Sequence, residues 1–458
     1  MNFVQKHVAR VKKKGKRVKP TQIVGVGFFL IILTGALLLM LPISSRTGEW
    51  TDFVTALFTS TSATCVTGLI VVDTYTHWSG FGQCVILLLI QIGGLGFMSI
   101  ATLFSFLVRR TITMRERMIM TTSLNVDDMS GIVRMTRRVL LGTLLFEGIG
   151  AIVLSLRFMS DYGVADGIKK GVFHSVSAFC NAGFDLLGQT KPFSSLGLYV
   201  TDPIVNLTIM LLIIIGGIGF YVWNDLYEHH RFRHLRLHTK LVLITTAVLI
   251  FGGALFICVF EWNNPHSLGH LPVWARPMAA LFESVTLRTA GFETIPQGAM
   301  TSQTHAVGIL LMLIGGSPGS TAGGIKTVTL AVLVLTARSA MKGQREVTVF
   351  GRTLGTRNIV NAVTMLIIGV TLIFAGAIVL LTFDNAPFSA SLFEATSAFC
   401  TVGLTIGITA QLGVVSHLTL IALMFLGRVG VLTLGVAVLM GQQSEASIHY
   451  PETQVFVG

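Results

Sequence analysis

Four stretches of this chain share one pattern of aromatic, hydroxylated and small residues that ends in glycine. They are residues 57–68 (LFTSTSATCVTG), 172–183 (VFHSVSAFCNAG), 281–291 (LFESVTLRTAG) and 392–403 (LFEATSAFCTVG). The step from Phe to Gly is ten residues in three copies and nine in the third, and the glycines recur every 115, 108 and 112 residues. Each copy suits a helix of about a dozen residues, too short to cross a hydrocarbon layer that takes ~20 helical residues. A short helix that enters a membrane and stops points the negative end of its dipole at the middle. The residues just beyond it can turn carbonyl oxygens toward a common axis. Glycine permits the dihedrals and leaves room for an ion, and carbonyl rings of this kind replace the hydration shell of potassium. The candidate ion-binding residues are therefore Val66, Thr67, Gly68, Asn181, Ala182, Gly183, Thr289, Ala290, Gly291, Thr401, Val402 and Gly403. None is charged. That favours a weakly hydrated monovalent cation over Mg²⁺ or Ca²⁺, which usually take carboxylates.

A second glycine signature follows each copy: Gly93-Gly94-Leu95-Gly96, Gly216-Gly217-Ile218-Gly219, Gly315-Gly316 and Gly427-Arg428-Val429-Gly430. Two departures from fourfold likeness stand out. Arg428 sits where the first two copies have Gly94 and Gly217, within an otherwise uncharged run. An arginine at the centre of a span costs roughly 2.5–3.5 kcal/mol on insertion scales, so it should face water or a partner. The third copy continues as Gly315, Gly316, Ser317, Pro318, Gly319, Ser320, Thr321, Ala322, Gly323 and Gly324. No helix runs through that unbroken, because glycine costs about 1 and proline about 3 kcal/mol each.

The elements that must hold these residues are membrane spans. Apolar residues make up 52% of the 458 and charged residues 12%, against about one-quarter charged in soluble domains. Mean hydropathy is +0.74. This excludes a soluble enzyme, a disordered chain and, with 5 cysteines, a disulfide scaffold. Eight apolar runs are expected to span: 23–43, 81–108, 139–158, 203–223, 240–260, 307–336, 359–383 and 414–440. Residue types alternate between them. Of 33 Lys and Arg, 24 fall in 1–20, 109–138, 225–240 and 337–357, and 6 in the four opposite loops. Basic loops stay cytoplasmic, so both termini are expected inside. The net charge of +12 is thereby explained by orientation and anionic lipid rather than by nucleic acid. The first run reads as a span and not a leader, since no small-residue cleavage site follows it.

The expected fold is an all-α polytopic membrane protein of four span–pore helix–span repeats around one central ion pore, with eight transmembrane helices plus four re-entrant helices. Its expected divisions are a basic cytoplasmic N-terminus (1–20), repeat one (21–108), repeat two with its preceding loop (109–223), repeat three with an intramembrane loop at 315–324 (224–336), repeat four (337–441) and a cytoplasmic tail (442–458). Helix N-caps are expected at Thr51 or Asp52 for the first short helix and at Ser389 for the fourth. Cys65, Cys180 and Cys400 each precede a glycine of the motif by three residues, but Arg288 fills the fourth place, so a soft-metal site is not expected.

Thr401-Val402-Gly403 resembles the start of a potassium-channel filter. The fourfold layout resembles the Trk/Ktr/HKT superfamily of potassium transporters over nearly the whole chain, most closely the membrane subunits of bacterial Ktr systems. The resemblance implies potassium uptake through a channel-like pore in a bacterial plasma membrane, with K⁺ as substrate, Na⁺ as activator and no covalent cofactor. It also implies a homodimer with one pore per subunit, and a cytosolic nucleotide-binding RCK ring, KtrA-like, on the basic inner face. It places Arg428 below the filter as a positive barrier and makes residues 315–324 the gating loop. Two other readings compete. An alternating-access carrier coupled to protons or sodium should show two inverted repeats and a midplane site, which this chain does not. An intramembrane hydrolase could use Gly315-x-Ser317-x-Gly319, but that motif needs a strand-to-helix turn and a His partner.

Overall fold

The computed structural model describes residues 20–96, 113–124, 131–344 and 346–430. Outside them lie the basic residues 1–19, part of the basic loop 109–138, the later parts of the expected spans 81–108 and 414–440, and the tail 442–458. The described chain is helical apart from loops and one small hairpin, and it divides into four similar units.

Each unit opens with a long apolar helix: α1 (Pro20–Met40), α5 (Ile132–Tyr162), α9 (Leu237–Glu261) and α13 (Thr356–Asp384). A short helix follows: α2 (Phe53–Cys65), α6 (Val164–Phe179), α10 (Ala275–Thr286) and α14 (Phe388–Phe399). A returning helix closes the unit: α3 (Gly80–Leu95), α7 (Pro203–Gly217), α11 (Ser302–Leu313) and α15 (Val414–Val429). Between units lie α4 (Met114–Leu124), α8 (Phe220–Glu228) and α12 (Thr327–Met341). Among the described residues, Gln22–Met40 and the other three opening helices are long and apolar enough to cross a membrane alone.

Within the described residues the returning helices are interrupted inside the expected spans. Helix α3 has 16 residues, ~24 Å at 1.5 Å per residue, less than a bilayer's ~30 Å. It stops at Gly96 (φ 78°), and α15 stops likewise at Gly430 (φ 89°). At Gly219 (φ 96°) the expected span 203–223 turns through 90° between α7 and α8. The expected span 307–336 is interrupted by non-helical backbone from Ile314 to Lys326. Hydropathy counts apolar side chains and is blind to a backbone that glycine has turned left-handed.

The second halves of the short helices are buried although they are rich in Ser and Thr. Most of their hydroxyls donate to backbone carbonyls, while Thr64 Oγ1 is buried without a partner among the described residues. Two residues beyond the motif Phe, Ser60 donates to the Ile32 carbonyl oxygen, Ser175 to Glu147 and Ser284 to Ile250, each at 2.7 Å. These ties run to the opening helix of the same unit. Gly35, Gly150 and Gly253 sit opposite them, where an added methyl would lie 2.5–2.6 Å from the serine hydroxyl. In the fourth unit Ala395 replaces the serine and faces Gly376. The N-cap expectation holds at Asp52, whose carboxylate accepts from the Val54 and Thr55 amides. It fails at Ser389, which lies inside α14; Pro387 precedes that helix and bonds nothing with its side chain. In the connector before α13, Thr348–Val349 pairs with Arg352–Thr353. The tight turn carries Phe350 and Gly351 at φ 49° and 73°, the handedness that suits a two-residue hairpin.

Candidate functional site

Beyond each short helix the backbone takes one repeated course. Val66, Asn181, Thr289 and Thr401 have φ between 52° and 71°, and Gly68, Gly183, Gly291 and Gly403 have φ between 71° and 93°. Left-handed backbone is ordinary for glycine but strained for β-branched Val and Thr. The strain is held by the last helical turn. Thr67 and Val402 amides bond the Ser62 and Ser397 carbonyls at 2.8 Å, and Ala182 bonds Ser177 at 2.8 Å. Hydroxyls of the same positions brace the glycine. Ser62 Oγ accepts from the Gly68 amide (3.0 Å) and Ser397 Oγ from Gly403 (3.1 Å). Ser177 and Thr286 instead donate to the Phe184 and Phe292 carbonyls, at 2.7 and 2.6 Å.

The four glycines are brought together in cyclic order. A methyl added at Gly68 would lie 2.5 Å from the Ala182 carbonyl oxygen, one at Gly183 2.8 Å from that of Ala290, and one at Gly291 2.5 Å from that of Val402. One at Gly403 would overlap the Thr67 carbonyl and so return to the first unit. Each unit's glycine therefore abuts the backbone of the next, and the ring closes. All twelve candidate ion-binding residues are buried within it.

The second glycine signature serves packing. Methyls on Gly93, Gly216 and Gly427 would overlap the carbonyls of Thr64, Phe179 and Phe399, each four residues before a ring glycine. The returning helices thus press their backbones against the ends of the short helices.

The segment 315–324 lies directly against the ring. Its neck is closed by a bridge between Ile314 and Ile325, with the Gly315 amide bonding the Ile325 carbonyl at 2.8 Å. Ser317 and Thr321 amides bond the carbonyls of Gly217 (2.9 Å) and Gly216 (3.3 Å), and the Phe220 amide bonds Gly319 (2.8 Å). These are the carbonyls and amides that the break between α7 and α8 sets free. Gly323 and Gly324 pack on Thr401 and Cys400, and Gly315 on Thr289, with no space for a Cβ that would not displace them.

Arg428 spans two neighbouring units. It donates to the Thr321 carbonyl of the loop and to the carbonyls of Gly93 (2.5 Å) and Gly94 (3.3 Å) in the first unit. Lys326 Nζ bonds Ala322 and Gly323 carbonyls at 2.7 and 3.2 Å. Among the described residues no carboxylate pairs with Arg428, and its bonded partners are backbone carbonyls. A cavity of about 240 Å³ opens here, bounded by Gly94, Phe220, Pro318, Lys326, Arg428 and Met365 among others. Units one, three and four contribute to its walls, together with Phe220 of the connecting helix α8.

The residue after the motif Phe went unread in the sequence. It is Thr59, His174, Glu283 or Glu394, each buried. Glu394 accepts from Thr405 and from Thr409 (2.9 Å), Glu283 from Gln297 (2.6 Å), and His174 Nε2 from the Leu186 amide (3.4 Å). Glu394, Glu283 and His174 pin the segment that leaves the ring, whereas Thr59 donates to the Thr55 carbonyl of its own helix (3.0 Å); the fixed place beside the Phe was the available signal. Glu147, buried by pattern, accepts from Gln91 Nε2 at 3.1 Å. Among the described residues no cluster of His, Cys, Asp and Glu could hold a metal, and Cys65, Cys180 and Cys400 are separately buried.

Comparison with known proteins agrees across the chain. The family described as TrkH, cation transport protein, matches residues 5–450. The chain is 41% identical over 446 residues to Ktr system potassium uptake protein B of Bacillus subtilis, covering 97% of this chain and 98% of that one. It is 39% identical over 452 residues to potassium/sodium uptake protein NtpJ of Enterococcus hirae, covering 98% and 99%. The crystal structure of the potassium transporter TrkH from Vibrio parahaemolyticus superposes with a TM-score of 0.73 at 17% identity, over 93% of this chain and 86% of that one.

Proposed function

We infer, from the premise that this chain belongs to the TrkH family of cation transport proteins, that it takes up potassium across a membrane. It is a transporter and not an enzyme. Supporting this reading is the closed ring of four glycines, each against the next unit's carbonyl, which offers uncharged oxygen to a dehydrated cation. In the finer reading, the twelve residues around Gly68, Gly183, Gly291 and Gly403 are the selectivity filter. The four units are span–re-entrant helix–span repeats, eight spans in all with the returning ones broken, and both termini are cytoplasmic in a plasma membrane. Residues 315–324 with Arg428 form the gate, and a fixed positive charge beside the path opposes cation flow while the loop is in place. Na⁺ activates uptake, and the protein works as a homodimer.

Expression in a bacterium lacking its own potassium uptake tests the core of this. ⁸⁶Rb⁺ uptake should appear with the chain and its partner, and should rise with external Na⁺. Absence of uptake in cells that display the protein would overturn the transport reading; uptake indifferent to Na⁺ would remove only the sodium dependence.

A regulatory partner is supported by the relatives' description as proteins of a Ktr system and by the basic inner loops. Arg231 and Arg233 are exposed, whereas Arg236 is engaged by Tyr221 and lies 3.8 Å from Asp225. Reversing Arg231 and Arg233 to Glu should weaken co-purification with a cytosolic RCK-type ring and make the remainder less salt-dependent. Binding that ignores both the reversal and salt would exclude this surface.

A further inference from the structure

We propose that a second cavity, on the flank of the molecule, binds an anionic phospholipid whose acyl chain reaches the loop at 315–324. The cavity measures about 400 Å³, within the ~300–1,000 Å³ usual for ligand sites. Its walls come from the starts of two opening helices, α9 (Leu237, Leu241) and α13 (Ala362), and from Val332 of α12. Apolar side chains form most of the lining, and His238, Asn358 and Asn361 add polar groups from the first turns of α9 and α13.

Two observations fix the chemistry of the occupant. The first is the surroundings. Val334, Val360 and Val363 on the adjoining helix surfaces are exposed apolar side chains, so the cavity adjoins the lipid-facing flank. The second is the charge at the helix starts that border it. Helices α9 and α13 begin there with Arg236 and Gly355 as their N-caps, neither of which bonds the free amides with a side chain. Arg357 is exposed one residue before Asn358. Lys240 stands one turn from the start of α9, its Nζ on the Arg233 carbonyl (2.9 Å) and 5.5 Å from the Phe350 ring. The start of α9 is already met by Asp225, whose carboxylate accepts from the Arg236 amide at 2.9 Å. The open start of α13 with the side chains of Lys240 and Arg357 favours phosphate, and basic pockets between helices on the cytoplasmic side hold anionic headgroups.

The position gives the lipid a consequence. Pro318, Thr329 and Met365 line both this cavity and the one beneath the ring, so a chain seated in the flank abuts the segment that carries Thr321, the acceptor of Arg428. Occupancy of the flank therefore biases the loop's position. This regulatory half rests on the loop being the gate; the binding half does not.

Purified protein in detergent is offered phosphatidylglycerol or phosphatidylcholine at equal concentration and examined by native mass spectrometry. The parent should retain phosphatidylglycerol preferentially. The exposed double variant K240Q/R357Q should lose retention on the order of tenfold, and Ala362→Trp, which fills the cavity, should lose it without a change of charge. Equal retention of the two lipids by the parent, or unchanged retention in both variants, overturns the site. In vesicles, ⁸⁶Rb⁺ flux through the parent should change with phosphatidylglycerol content and flux through K240Q/R357Q should not. Retention that follows the variants with flux that ignores the lipid would refute the coupling and leave the site, and with it would weaken the loop as gate.

Discussion

Serine in place of Gly291 should raise the potassium concentration for half-maximal uptake by on the order of tenfold and narrow the preference for K⁺ over Na⁺. Two costs combine at this position. A φ of 79° strains any L-residue by roughly 1–2 kcal/mol, and a Cβ would lie 2.5 Å from the Val402 carbonyl oxygen. That oxygen must shift, and 1.4 kcal/mol of misplaced coordination is already a factor of ten. The same substitution at Gly68, Gly183 or Gly403 should act alike, because each presses on a carbonyl of the next unit. Concentration dependence of ⁸⁶Rb⁺ uptake, with Na⁺ as competitor and at matched membrane expression, measures the effect. Four single variants with parental kinetics and ion preference would exclude the ring as the filter.

Alanine in place of Arg428 should increase flux by on the order of tenfold and reduce its dependence on the cytosolic partner. The side chain donates to one carbonyl of the loop and two of the first unit, and hydrogen bonds from a charged donor contribute ~1.5–3 kcal/mol each. Its loss releases the Thr321 carbonyl, leaving the amide and hydroxyl of that residue on Gly216 and Phe179, and removes a positive charge from the cavity wall. Excising several residues of 315–324 should act in the same direction. Arg428→Lys separates the two contributions, since it keeps the charge and loses the forked geometry. Variants that reach the membrane yet conduct no faster than the parent, and that the partner still switches fully, would place the gate elsewhere.

How far the sequence reached depends on whether a feature is local. The short helices and their glycines were legible, because each is a contiguous dozen residues repeated at nearly equal spacing. Arg428 was legible as a charge where its counterparts have none. The breaks at Gly96, Gly219 and Gly430 were not, since the flanking residues stay apolar and a hydropathy window runs straight across them. Left-handed backbone at Val66 and Thr401 was equally hidden: β-branched residues there are an outcome of tertiary constraint, opposed to local preference. From the sequence, the glycines and proline at 315–324 say only that no helix runs through unbroken. In the fold those glycines are there because Thr289, Cys400 and Thr401 leave no space for a Cβ, so in this arrangement the segment is close-packed. The ties from Ser60, Ser175 and Ser284 join residues 28 to 34 apart, beyond any local pattern.

The cyclic contact of each glycine with the next unit's carbonyl has a consequence for heredity. In a tetramer of identical subunits, one base change alters all four quadrants of a ring together. Here the ring is written four times in one gene, so a change arrives in a single quadrant. Val, Asn and two Thr already occupy the equivalent left-handed positions. With the ring as the proposed filter, ion preference can therefore drift by quarter-steps, through intermediates that an assembly of identical subunits does not sample. What drift cannot relax is the backbone seam itself, because every quadrant meets two neighbours and a poor fit anywhere opens the circle.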